Sequence, residues 1–112
     1  MAIALDCRID RSAAGLVIAL PQARAERAYM LLDALMCGTL REAAFRSGGV
    51  LLACRCGEAD ILAENALTLS RATADHVKAV LLQAALRPQE AEWLHADVAA
   101  IGGDVVIRVT DA

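Results

Sequence analysis

The chain has 112 residues, 58% of them hydrophobic and 22% charged, which fits one folded domain and excludes a disordered or low-complexity protein. Eleven Lys and Arg against 14 Asp and Glu leave a net charge of -3, so binding to nucleic acid through phosphate neutralisation is not expected. A membrane-spanning helix needs roughly 20 apolar residues in a row, and the apolar run 50–54 stops at Arg55.

Residues 1–10 alternate. Met1, Ile3, Leu5, Cys7 and Ile9 take one side and Ala2, Ala4, Asp6, Arg8 and Asp10 the other, the pattern of one half-buried strand. This alternation predicts that Cys7 is buried. Residues 11–15 form a turn, and the unbroken apolar run 16–20 suits an interior strand. Pro21 fits the first turn of a helix. Over 22–37, Ala28, Leu31, Leu32, Leu35 and Met36 follow helical spacing, with Arg24, Glu26, Arg27 and Asp33 opposite. Gly38 ends that helix. Thr39-Leu-Arg-Glu42 has the form of a capping box and predicts a short second helix to Arg46, closed by Ser47-Gly-Gly49.

The grammar then recurs. Residues 50–56 form a strand, 57–60 a turn and 61–69 a further strand. A helix follows 70–73, with Asp75 in its first turn and Arg87 in its last, as the helix dipole prefers, and Pro88 ends it. After the polar link 89–92, residues 93–100 and 105–110 form a hairpin across Gly102-Gly103.

The order ββα-ββα-ββ predicts an α+β fold. Its form is a two-layer sandwich, a mostly antiparallel sheet of about six strands with two main helices on one face. The whole of 1–112 is one domain. Leu5, Cys7 and Arg8 recur 47 residues on as Leu52, Cys54 and Arg55, and Leu20 recurs as Leu67. These matches suggest a degenerate ββα repeat, 1–47 and 48–88, followed by a C-terminal hairpin over 93–110.

The segment Asp10-Arg-Ser12-Ala-Ala-Gly15, followed by 16–21, resembles the D/N-x-S-x-x-G segment of PilZ domains, a resemblance that implies binding of cyclic di-GMP. It covers six residues. The family's companion RxxxR motif is missing, because Arg8 is the only arginine before Asp10, and the family's β-barrel does not accommodate the helical stretches. A turn that closes on glycine uses the same residues.

Chemistry-bearing residues are few. Cys54 and Cys56, two apart on a strand, share a face. With Cys7, Cys37 or His95 they have the ligand types of a metal site, but not the CxxC spacing of one, and core packing is the expected role of cysteine. His95 and Asp97 lie two apart on a predicted strand, and a carboxylate so placed can orient an imidazole. His95, Asp97, Cys54 and Cys56 are therefore the catalytic candidates of a small enzyme or ligand-binding domain. No cofactor or metal is expected.

Alanine fills 25 positions, whereas Phe45, Tyr29 and Trp93 are the only aromatic residues of their kinds. A core poor in aromatics gains from having an apolar face covered. The predicted alternation turns Trp93 and His95 away from the domain's own core, towards an interface. The leading expectation is thus a small, acidic, cytoplasmic, non-catalytic protein–protein interaction module of inhibitor, immunity, adaptor or chaperone type. Its partner is another protein or a second copy of itself, with neither nucleic acid nor membrane as partner.

Overall fold

The computed structural model describes residues 3–12, 15–87, 97–101 and 105–110. Among these residues the chain folds as nine strands and two helices. Strands β1 (Ile3–Asp6), β2 (Arg8–Ser12) and β3 (Gly15–Pro21) precede a 3₁₀ turn (Gln22–Arg24) and helix α1 (Ala25–Cys37). Strands β4 (Ala43–Ser47), β5 (Val50–Gly57), β6 (Ile61–Leu62) and β7 (Ala66–Ser70) lead to helix α2 (Arg71–Leu86), and β8 (Asp97–Ile101) and β9 (Val105–Thr110) follow.

The fold is mixed α+β with two main helices, but its strands form two sheets instead of one of about six. One has the order β1-β4-β5-β7-β6 and the other β2-β3-β9-β8. Three of the pairings, β1–β4, β3–β9 and β5–β7, are parallel. Residues 3–12 do not make one strand of one sheet. The chain passes from the first sheet to the second at Cys7, whose N–H donates to the carbonyl of Arg46 (2.9 Å) as the last bond beside β4.

The helix expected over 39–46 is a strand. Residues 43–47 pair with β5 in register, Ala43 opposite Cys54 and Phe45 opposite Leu52. Pairing buries Ala43 and Phe45 on one side of the sheet, which a short, weakly nucleated helix could not match. Ser47 faces Val50 across Gly48-Gly49, and Gly48 takes φ 60°, the left-handed conformation that a two-residue hairpin loop requires. The strand expected over 61–69 is likewise two strands, β6 and β7, which fold back on one another antiparallel. Helix α2 starts earlier than the charges suggest. Ser70 caps it, and neither Asp75 nor Arg87 falls in its terminal turns.

Hairpin–helix–hairpin is the order of β2-β3-α1-β4-β5 and again of β6-β7-α2-β8-β9. The buried residues of α1, Ala25, Ala28, Leu32 and Leu35, have counterparts in α2 in Ala74, Val77, Leu81 and Ala84, each 49 residues further on. Each sheet takes one hairpin from each unit, joined at its centre by a parallel pair, β5–β7 in one sheet and β3–β9 in the other. The hydrophobic core therefore crosses both units. Leu20, Leu67, Val77, Val105 and Val109 are all fully enclosed in it. Lys78 of α2 ties the helices at the surface, with Nζ 3.0 Å from Asp33 Oδ1 and 5.7 Å from the centre of the Tyr29 ring. No helix among the described residues is long and apolar enough to cross a membrane.

Candidate functional site

Where the chain changes sheets, the two sheets leave a cleft of about 470 Å³. Asp6 and Cys7 line it at the crossing point, and the second sheet lines it with Arg8, its register partner Ala19, Pro21 and Thr110, while Arg24 completes the lining. Residues of β3 and β9 alternate, so burying Ile18, Leu20 and Val109 turns Ala19, Pro21 and Thr110 outward into the cleft. Arg24 Nη1 donates to the main-chain carbonyl of Asp6 (2.9 Å) and so bridges the gap. The Asp6 carboxylate turns the other way, to Arg46 Nε at 2.6 Å, and that hydrogen bond lowers its pKa. Arg8 Nε lies 3.2 Å from Asp10 Oδ2, with both side chains largely in solvent. Among the described residues Arg24 has no carboxylate partner.

Cys7 shares its side of the strand with Leu5, as alternation requires, but it is half-buried rather than buried. It lines the cleft and packs in part against the core. Burial still pushes its thiol up to about 11. Cys54 is enclosed between Ala43 and Leu67, its register partners on β4 and β7. Its thiol is pushed up to about 12 by burial, and the neighbouring Cys56 adds to the effect. Both thiols are thus protonated at neutral pH, and a protonated thiol is a poor nucleophile and a poor metal ligand. Cys56 is half-buried on the same side of β5, and Cys37 is exposed at the end of α1. Among the described residues no three His, Cys, Asp or Glu side chains come together as a metal-binding group.

Trp93 and His95 lie outside the described residues. Asp97 opens β8, where its backbone is in register with Arg108 of β9. The cleft was not expected from the sequence, because Asp6, Arg24 and Thr110 meet only once two separate sheets have formed. The resemblance of 10–15 to a nucleotide-binding segment corresponds to the β2–β3 hairpin, in which Asp10 pairs with Val17 and Ser12 with Gly15.

A second feature is the outer face of the five-stranded sheet. Register places Ala4, Ala44, Ala53 and Ala66 side by side across β1, β4, β5 and β7. On one side of this row lie Asp6, Arg46 and Leu51, and on the other Glu42, Arg55, Thr68 and Ile61. Leu51 and Ile61 are 55% and 56% exposed. Arg55 Nε holds Glu42 Oε2 at 2.7 Å, so an ion pair flanks the apolar row on each side. No family model matches the chain, and neither the curated proteins nor the solved structures contain a match to it.

Proposed function

We propose that the protein is a non-catalytic, cytoplasmic interaction module that works as a homodimer through the outer face of its five-stranded sheet. The observation that carries this reading is the strip of Ala4, Ala44, Ala53 and Ala66 flanked by exposed Leu51 and Ile61. An apolar strip rimmed by charges is the usual anatomy of a protein interface. Side chains no longer than a methyl let two such faces approach closely.

The charges favour a second copy as the occupant. A two-fold axis laid along the alanine row exchanges the two sides of the strip. Glu42, the residue before β4, and Arg46 within it stand one on each side of Ala44. The axis therefore sets Glu42 of each copy over Arg46 of the other, twice per dimer, as a self-complementary interface requires. The neutral thiols of Cys7 and Cys54 favour a binding role over a thiol-based enzyme.

Light scattering during size-exclusion chromatography tests the reading. The native chain is expected to elute with the mass of a dimer and Leu51→Asp with that of a monomer, both with the same circular dichroism spectrum. A native monomer at high micromolar concentration refutes it.

A further inference from the structure

The cleft at the sheet junction borders the proposed dimer face, with which it shares Asp6, and its charges set what it can hold. Asp6 is matched by Arg46 at 2.6 Å, and Arg8 by Asp10 at 3.2 Å. Arg24 is held in place by a neutral group, the Asp6 carbonyl, and makes no ion pair among the described residues, although its charge also acts on the Asp6 carboxylate that Arg46 holds. Among the described residues, the cleft thus carries one guanidinium without an ion-pair partner, beside the apolar surfaces of Ala19 and Pro21. Its volume of about 470 Å³ falls in the range typical of small-molecule sites, roughly 300–1,000 Å³.

We infer that this cleft binds a small molecule bearing a single oxyanion, a carboxylate or a phosphate ester, with the Arg24 guanidinium on the oxyanion and Ala19 and Pro21 against an apolar body. A planar guanidinium offers parallel N–H donors that match either group, and a main-chain anchor orients it before the ligand arrives. Arg8, the register partner of Ala19 and so beside it in the same sheet, adds a second positive charge, weakened by Asp10 and by solvent. Asp6 does not oppose the ligand, because Arg46 neutralises it. The Cys7 thiol, half-buried in the wall, is covered when the cleft fills.

Two measurements on the full chain test this. In the first, ¹H–¹⁵N NMR titrations use benzoate, phenyl phosphate and the neutral benzamide. One or both anions should shift the Arg8, Ala19 and Arg24 signals to saturation, and which anion does so assigns carboxylate or phosphate. Arg24→Gln should weaken binding about tenfold or more, while Arg27→Gln, on the exposed side of α1, leaves it unchanged. In the second, which needs no variant, the saturating anion should slow alkylation of Cys7 by N-ethylmaleimide and leave Cys37 unaffected. Ala19→Glu, which puts a carboxylate into the cleft, should abolish both effects. The inference is overturned if neither anion saturates, if benzamide binds as tightly as the anions, or if Cys7 is not protected.

Discussion

The N–H of Cys7 donates to the carbonyl of Arg46 at 2.9 Å, and this bond fixes the point at which the chain leaves one sheet for the other. Cys7 is left half-buried, in the lining of the junction cleft and packed in part against the core, while Cys54, on the neighbouring sheet, is closed into the core. The four thiols should therefore react with maleimide in order of access. Cys37 is expected to be fastest, Cys7 and Cys56 slower, and Cys54 silent until the protein unfolds. Mass mapping over time checks this, and labelling of Cys54 as fast as Cys37 in native protein would contradict the packing.

Helix α1 presents Leu32 and Leu35 to the core, and α2 presents Leu81. Leu32→Ala or Leu81→Ala should each destabilise by about 2–5 kcal/mol. Arg27→Ala, on the exposed side of α1, should stay within about 0.5 kcal/mol. Urea unfolding with a fixed slope gives the comparison. Leu31, which shared the predicted inner face with Leu32, is only half-buried, and its truncation should fall between these values.

The start of α2 is tied down by Asp60 from the β5–β6 turn. Asp60 Oδ1 accepts the Ser70 N–H and Oδ2 the Thr73 hydroxyl, both at 2.7 Å, while Ser70 Oγ accepts the Thr73 N–H. These bonds, the Ser70 N–H foremost, lower the Asp60 pKa from its ordinary 3.8. A carboxylate with a lowered folded pKa stabilises the protein above its unfolded pKa and loses that contribution as the pH falls through the folded value. Stability should thus decline below about pH 4, and Asp60→Asn should flatten that part of the profile. Ser70→Ala should cost about 1 kcal/mol through the lost cap. Unfolding free energies across pH 2–7 measure both.

Gly57 ends β5 in register with Ser70, one residue beyond the pair Cys56–Leu69. A Cβ there would lie 2.7 Å from the Thr68 Cγ2 methyl, inside van der Waals contact. Gly57→Ala should destabilise by about 1–3 kcal/mol through this overpacking, and Thr68→Ser in the same chain should recover most of the loss by removing the methyl. A double-mutant cycle without coupling would show that the two residues do not compete for space.

Much of the local structure was legible. The apolar run 16–20 and the spacing of Ala28, Leu32 and Leu35 placed β3 and α1, and alternation in 1–10 showed extended chain there but read β1 and β2 as one strand, because burial on one side imposes a period of 2 or 3.6. The 39–46 segment misled, because Thr39 and Glu42 imitate a capping box and two alanines follow them. The Gly48-Gly49 pair between alternating segments was the better signal, since it closes a two-residue hairpin. Period says nothing of which strands pair. The passage of residues 3–12 between sheets leaves no mark in the alternation, which runs through Cys7 unbroken. The junction cleft was hidden for the same reason, as its walls are separated by most of the chain. The alanine row of the outer face was equally illegible, because Ala4, Ala44, Ala53 and Ala66 align only through three separate registers.

The most direct measurement of the dimer is sedimentation equilibrium on two charge-reversed chains, Glu42→Arg and Arg46→Glu, run separately and as an equimolar mixture. A two-fold axis along the alanine row sets like charges against one another in each variant alone, and opposite charges at both contacts in the mixed pair. Each variant alone should therefore sediment as a monomer and the mixture as a dimer, like the native chain. A mixture that stays monomeric beside a dimeric native protein, or variants that dimerise alone as well as the native chain does, would contradict the account.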